Sequence, residues 1–208
     1  MPKKFEKEFI SYCENQNLEV NPNQIKVIKK LQDYHNSNYK SFFSKLFSKQ
    51  KTKKGFYLYG GVGVGKTMIL NFFYDHLEEK KLKKHFNEFM LGFHDFVHEQ
   101  KEKNEENVIN QFVKNLKSKA SLVYFDEFQV TNIVDAMILG KLFEQIFKED
   151  IKIILTSNTK ISELYKEGLQ REQFIPFIKI MEDQSIEYEL KIEDDYRKSN
   201  DNQKQRYF

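Results

Sequence analysis

The sequence predicts an α/β protein in which a parallel sheet is covered by helices on both faces. Three observations predict it. Short apolar runs typical of buried strands occur at residues 55–60, 121–125 and 151–157. Stretches with helical spacing of apolar residues lie between them, most clearly over 131–147, and a glycine-rich loop follows the first run. Strands that alternate with helices favour a parallel sheet.

The remaining elements follow from local patterns along the chain. Residues 5–50 have amphipathic helical spacing, with Pro22 and Asn23 at a helix start. In chain order the expected elements are helices over 5–50, a strand over 55–60, a helix over 66–77, a strand over 85–89, helical stretches to 118, a strand over 121–125, a helix over 131–147, a strand over 151–157, short helices of which Pro176 opens or kinks one, a strand over 185–192 and a polar tail over 193–208.

Composition limits the class of protein. The chain has 208 residues, enough for one good-sized domain, and its 20 Phe and 11 Tyr can build a core. A net charge of +3 is too small to indicate a nucleic-acid binder. Local lysine runs are read as solvated surface, with an anionic partner as the alternative. A single cysteine, Cys13, excludes an intrachain disulfide, and with no apolar stretch long enough for a membrane we expect a cytoplasmic protein.

The glycine-rich loop matches the pattern of a phosphate-binding P-loop. Five of the eight glycines fall between Gly55 and Gly65, where backbone N–H groups must converge on one anion. Lys66 is expected to reach the β- and γ-phosphates of a nucleotide, and the Thr67 hydroxyl to bind Mg²⁺. The predicted nucleotide-binding residues are Gly60, Gly61, Val62, Gly63, Val64, Gly65, Lys66, Thr67 and Met68.

Two acids end the buried run at residues 121–125. Asp126 is placed to hold the Mg²⁺ shell, and Glu127 to orient and polarise a water for attack on the γ-phosphorus. The alternative is two solvated acids at a strand end. A water-activating acid favours hydrolysis over phosphoryl transfer to another substrate. The segment Thr159-Lys160-Ile161-Ser162 has Ser where a guanine-reading N/T-K-x-D motif has Asp, which favours ATP over GTP.

Two further side chains are candidates for the same site. The next strand ends in Thr156, Ser157 and Asn158, and Asn158 can sense hydrolysis at the γ-phosphate or, equally, cap a helix. Arg171 is one of only three arginines among 34 basic residues. Its rigid fork suits phosphate oxygens in a neighbouring subunit, although a surface ion pair explains it as well.

Several longer blocks together resemble the ZapE-like AAA+ ATPases, bacterial cell-division ATPases with mitochondrial relatives. These blocks are GFYLYGGVGVGKTMILNFFYDHL, HFNEFM, LVYFDEFQVTNIVDAMILGKLFEQIF, LTSN, LYKEGLQREQFIPFI and DDYR, and they cover roughly residues 20–197. The resemblance implies an AAA+ core with Lys66 and Thr67 in Walker A and Asp126 and Glu127 in Walker B. It makes Asn158 the expected sensor 1 and Arg171 a candidate arginine finger that acts in trans.

The resemblance also implies what the protein works on. A finger in trans implies a homo-oligomeric ring, and the family's proposed clients are proteins: the division-ring polymer FtsZ in bacteria, and membrane-protein quality control in mitochondria. Family members continue beyond the DYR block into a helical lid, so we expect no lid domain in these residues and a second sensing arginine beyond Phe208. The expected organisation is a helical N-terminal arm over 1–50, an AAA+ core over 51–192 and a tail over 193–208.

Two other functions stay open beside an ATP hydrolase that remodels a protein client. The first alternative is a nucleotide-binding module with little turnover, which is expected if the lid is lacking. AAA+ loaders share this core, so a loader that acts with nucleic acid is the second alternative, although nucleic acid is the less expected partner.

Overall fold

The computed structural model describes residues 4–39, 52–100 and 104–192. Five parallel strands form one sheet in the spatial order β2-β3-β4-β1-β5. Their bounds are β1 Gly55–Tyr59, β2 Lys81–His85, β3 Leu122–Asp126, β4 Lys152–Ser157 and β5 Ser185–Glu189. The α/β prediction is therefore confirmed. Because β1 lies between β4 and β5, the loop after it emerges near the middle of the sheet's carboxyl edge.

Seven α-helices are described among these residues. Their bounds are α1 Lys4–Asn15, α2 Pro22–Tyr39, α3 Lys66–Asp75, α4 Phe86–Glu99, α5 Glu105–Lys119, α6 Ile133–Lys148 and α7 Ile175–Gln184. Two 3₁₀ turns, Ile161–Glu163 and Arg171–Gln173, lie between β4 and α7. Helix α2 begins as expected at Pro22, where the side chain of Asn21 accepts a hydrogen bond from Asn23 N at 2.8 Å. Pro176 lies in the first turn of α7 and opens that helix.

Each face of the sheet carries its own apolar core. On one face, alternate strand residues such as Tyr57, Val123 and Phe125 pack against α4, α5, α6 and α7. On the other, Phe56 and Tyr124 pack against α1, α2 and α3. Strands buried on both faces need continuous apolar runs, which explains why β1, β3 and β4 were readable in the sequence. Helices α1 and α2 share this second core with the sheet, and residues 40–51, where the arm was expected to end, lie outside the described ranges.

The predicted strand over 85–89 is wrong. The strand β2 covers Lys81–His85, and residues 86–89 begin α4. The sheet edge explains the error. Among the described residues β2 pairs only with β3, and its side chains are partly exposed, so it lacks an apolar run. Phe86, Phe89 and Phe93 are instead buried at helical spacing on the core face of α4.

Other predicted bounds differ from the structure by a few residues. The helix expected over 66–77 ends at Asp75, and the strand expected over 185–192 ends at Glu189. The expected tail over 193–208 lies outside the described residues. In residues 4–39, 52–100 and 104–192, no helix is both long and apolar enough to cross a bilayer.

Candidate nucleotide site

The P-loop connects β1 to α3. Gly60, Gly63 and Gly65 have φ of 156°, 81° and 92°, in a region that side chains disfavour. At Gly60 space is limiting as well, because a Cβ there would lie 2.3 Å from the carbonyl oxygen of Leu190, just past β5. The sequence therefore places glycine where this backbone requires it.

Lys66 lies at the start of α3 and is buried against its own loop. Its Nζ donates to the carbonyl oxygens of Gly60 at 2.8 Å and Gly61 at 2.7 Å, and to Oδ1 of Asn158 at 2.8 Å. Burial lowers the pKa of the ammonium, and the nearby Asp126 carboxylate opposes that shift. All three ammonium donors are thus used, and this arrangement keeps the cation at the floor of the loop.

Asp126 ends β3 beneath two hydroxyl groups. Its Oδ1 accepts from Thr67 Oγ1 at 3.0 Å and from Thr156 Oγ1 at 2.6 Å. The carboxylate is buried, so these two bonds replace the water that it loses on folding. The carboxylate is thereby fixed beside the Thr67 hydroxyl, at the start of α3.

Glu127 follows in a left-handed conformation, with φ of 55°. The turn directs its backbone N–H to Thr156 Oγ1 at 3.0 Å, and the next N–H, of Phe128, donates to the Thr156 carbonyl at 2.7 Å. The backbone is therefore fastened to β4, while the Glu127 side chain is 81% exposed and open to water. In the described part of the chain, the Nδ1 atom of His85 lies 4.0 Å from Oε2 of Glu127.

These side chains line one cavity of about 830 Å³. Of the predicted catalytic, nucleotide and metal residues, Val62, Gly63, Gly65, Lys66, Thr67, Met68, Asp126, Glu127 and Asn158 line it. Gly60 and Gly61 contact Lys66 through their carbonyl groups, and the Val64 carbonyl accepts from Gln24 at 3.1 Å. The structure thus brings the two motifs and Asn158 together around an opening large enough for nucleotide phosphates.

Arg171 lies apart from the cavity, on the second 3₁₀ turn. It is partly buried, and its Nη2 donates to the carbonyl oxygen of Ser162 at 2.8 Å. The neighbouring Glu163 pairs with Lys166 at 2.6 Å; that pairing, with a smaller contribution from Arg171, lowers the pKa of Glu163. Arg171 therefore does not contact the phosphate site of its own chain.

Sequence reasoning missed two residues that shape the site. The sequence marks Thr156 only as a polar strand end, although its hydroxyl connects Asp126 to the Glu127 backbone. Gln24, in the first turn of α2, belongs to no motif in the sequence. The adjacency of β3 and β4 is the signal that points to Thr156. The role of Gln24 depends on its contact with Val64, 40 positions away in the sequence.

A glycine loop at the carboxyl edge of a parallel sheet, with a buried Lys66 near Asp126, defines a P-loop nucleotide-binding protein. The chain belongs to the AFG1-like ATPase family, whose model matches residues 11–208. It is 39% identical over 161 residues to Lactation elevated protein 1 homolog B of Danio rerio, covering 73% of this chain and 32% of that protein. It is 37% identical over 132 residues to Cell division protein ZapE of Escherichia coli, covering 63% and 35%.

The chain therefore spans about a third of the length of the curated relatives it matches. Among solved structures, the DnaC helicase loader superposes with a TM-score of 0.56 at 15% identity, covering 83% of this chain and 92% of that one. The replication initiator DnaA bound to AMPPCP and single-stranded DNA gives a TM-score of 0.55 at 17% identity, covering 86% and 49%. At identities this low, the two superpositions show a shared fold and nothing about function.

Proposed function

We propose that this chain binds ATP with Mg²⁺ and hydrolyses it to ADP and phosphate. The observation that carries the proposal is the single cavity that Lys66, Thr67, Asp126, Glu127 and Asn158 share. It combines a cation for the phosphates, oxygen ligands for a metal and an exposed carboxylate for water.

The oxygen donors present fit Mg²⁺. The Thr67 hydroxyl and the Asp126 carboxylate are 3.0 Å apart at the cavity wall, and Mg²⁺ prefers such hard oxygen ligands. In the described part of the chain, no group of three or more His, Cys, Asp or Glu side chains forms a metal cage. A site with few protein ligands is typical of Mg²⁺ that also binds substrate phosphates and water. When bound, the ion neutralises charge on the phosphates.

The chain's own groups would perform the remaining steps. Lys66 is already desolvated at the base of the loop and transfers its hydrogen bonds from carbonyl groups to phosphate oxygens. Glu127 accepts a proton from water as the water oxygen bonds to the γ-phosphorus and the bond to the β-phosphate bridging oxygen breaks. Asn158 accepts a hydrogen bond from Lys66 and can instead bond to the γ-phosphate. It can therefore distinguish bound ATP from bound ADP.

ATP is proposed as the nucleotide in place of GTP. The segment that would carry a guanine-reading Asp has Ser162 instead, whose carbonyl is taken by Arg171. Ser162 also lies on a 3₁₀ turn outside the cavity lining.

The test is phosphate release from Mg²⁺-ATP by the wild type and by Glu127→Gln. Loss of the base lowers turnover about 10²- to 10⁴-fold, while ATP affinity is kept because glutamine has the same shape. Glu88→Gln is the matched control, since Glu88 is exposed on α4 and does not line the cavity. Equal turnover in wild type and Glu127→Gln would contradict the proposal, as would turnover that does not need Mg²⁺.

We further propose that Arg171 acts on the nucleotide of a neighbouring subunit in a homo-oligomeric ring. Its separation from the cavity of its own chain supports this. Arg171→Ala and Glu127→Gln should each be inactive alone, because loss of an arginine finger lowers turnover at least about a hundredfold. A mixture of the two should recover turnover, because a Glu127→Gln subunit supplies Arg171 to an intact cavity. A mixture that stays inactive at concentrations where the wild type assembles would refute action in trans.

A protein client in cell division is proposed from the relatives rather than from the site. One relative is named a cell division protein, which makes FtsZ filaments the first client to test by co-sedimentation. No ATP-dependent change in FtsZ sedimentation would remove this client. The likeness to a helicase loader concerns the fold alone and does not favour nucleic acid. Salt-sensitive binding to single-stranded DNA would revive the loader alternative.

A further inference from the structure

The first turn of α2 contacts the phosphate loop through one buried side chain. Gln24 lies in this turn, and its Nε2 donates to the carbonyl oxygen of Val64 at 3.1 Å. The approach is close, because a Cβ at Gly65 would lie 2.7 Å from the same nitrogen. Gly65 is thus required by its positive φ, and a Cβ there would also displace the end of the Gln24 side chain.

This contact fixes the direction of one loop peptide. No cis peptide occurs in the described residues, so the Val64 C=O and the Gly65 N–H point in opposite directions. With the Val64 oxygen directed at Gln24, the Gly65 N–H is directed away from α2. Gly65 lines the cavity, and N–H groups of such a loop bind phosphate oxygens.

We propose that Gln24 is a positioning residue that holds the Gly65 N–H ready for nucleotide phosphates. The amide orientation supports it, because rotating the amide would place its oxygen against the Val64 oxygen, acceptor against acceptor. The helix that carries Gln24 is itself fixed. Its residues Val27 and Leu31 are fully buried in the core.

Gln24 is a poor residue for packing alone. Its Oε1 is buried and has no hydrogen-bond partner among the described residues, which is unfavourable for stability. Methionine has a similar length and removes both the unpaired acceptor and the donor. If Gln24 only packs, Gln24→Met should bind phosphates as the wild type does. If Gln24 positions the loop, Gln24→Met should bind them more weakly.

The proposal rests on the proposed nucleotide site, and its test uses binding rather than turnover. The dissociation constants of ADP and of pyrophosphate are measured for the wild type, Gln24→Met and Asn23→Ala. Gln24→Met should bind both ligands about fivefold more weakly, the weight of one net hydrogen bond, at an unchanged or higher melting temperature. Asn23→Ala loses the 2.9 Å hydrogen bond from the same turn to the Lys191 carbonyl, in the segment after β5, but no contact to the loop, and should bind as the wild type does.

Each other binding outcome overturns the assignment. Unchanged affinity in Gln24→Met, with or without a lower melting temperature, shows a packing role only. Weaker binding of ADP without weaker binding of pyrophosphate shows that Gln24 acts on the base. A wild type that binds neither ligand refutes the nucleotide site and this proposal with it, whereas absent turnover with normal ADP binding refutes hydrolysis alone.

Discussion

Replacing Thr156 with valine tests whether β4 fixes Asp126 and Glu127 at the end of β3. The side chain is 2% exposed, and valine has almost the same shape without the hydroxyl. The change removes the 2.6 Å hydrogen bond to the Asp126 carboxylate and leaves the Glu127 N–H without its 3.0 Å acceptor.

The magnitude follows from these two bonds. A hydrogen bond to a charged group contributes about 1.5–3 kcal/mol, and a buried N–H left without an acceptor costs about 1–3 kcal/mol. The gain from burying one more methyl group is about 0.8 kcal/mol, which offsets part of the loss. We therefore expect the free energy of unfolding to fall by about 2–5 kcal/mol.

The consequence for turnover is separate from stability. Without its bond to Thr156, the Glu127 backbone is no longer held in the left-handed turn, and the carboxylate moves relative to the water that it must polarise. We expect kcat to fall about tenfold or more, since small misplacement of a catalytic group has that effect. The affinity for ADP should stay near the wild-type value because the P-loop contacts of Lys66 are unchanged.

Urea unfolding and phosphate release measure the two effects, with Thr156→Ser as the matched control. Serine keeps the hydroxyl and loses one methyl, so it should cost about 1 kcal/mol and keep most of the turnover. The reasoning is refuted if valine and serine variants unfold at the same urea concentration. Full turnover in the valine variant would refute the positioning argument alone.

Three further predictions concern the two cores and one helix start. Phe128→Ala should lower the free energy of unfolding by about 3–5 kcal/mol in urea, because its ring lies 4.3 Å from that of Phe86 and 5.7 Å from that of Phe177; a loss below about 1 kcal/mol contradicts this packing. Cys13 is fully buried and burial raises the pKa of its thiol, so Ellman's reagent should label the native protein roughly a hundredfold more slowly than the urea-unfolded one; equal rates would show that α1 is not packed. Asn132 caps α6 by accepting from Val134 N at 2.8 Å, so Asn132→Ala should cost about 1 kcal/mol in the same urea assay, whereas Asn132→Asp should cost little.

The sequence was most informative where local chemistry alone decides the structure. Strands β1, β3 and β4 are buried on both faces and must be continuously apolar. The P-loop requires glycine at fixed positions, and the two acids stand at the end of β3. These elements and the cavity residues they carry could be located without knowledge of the fold.

Features that depend on neighbours in space could not be predicted in the same way. The edge strand β2 has a polar sequence, so its position follows from pairing with β3 and not from its own pattern. The role of Thr156 depends on β4 lying beside β3 and on the positive φ of Glu127. Gln24 reaches Val64 across 40 residues, and only the packing of α2 on the sheet brings them together.

Hydrolysis of ATP through Glu127 is tested most directly by the nucleotide recovered from the protein. Wild type and Glu127→Gln are incubated with Mg²⁺ and ATP, separated from free nucleotide, and their bound nucleotide is released and chromatographed. We expect ADP from the wild type and intact ATP from Glu127→Gln, at similar occupancy. ATP intact in both proteins, or ADP in both, would contradict it.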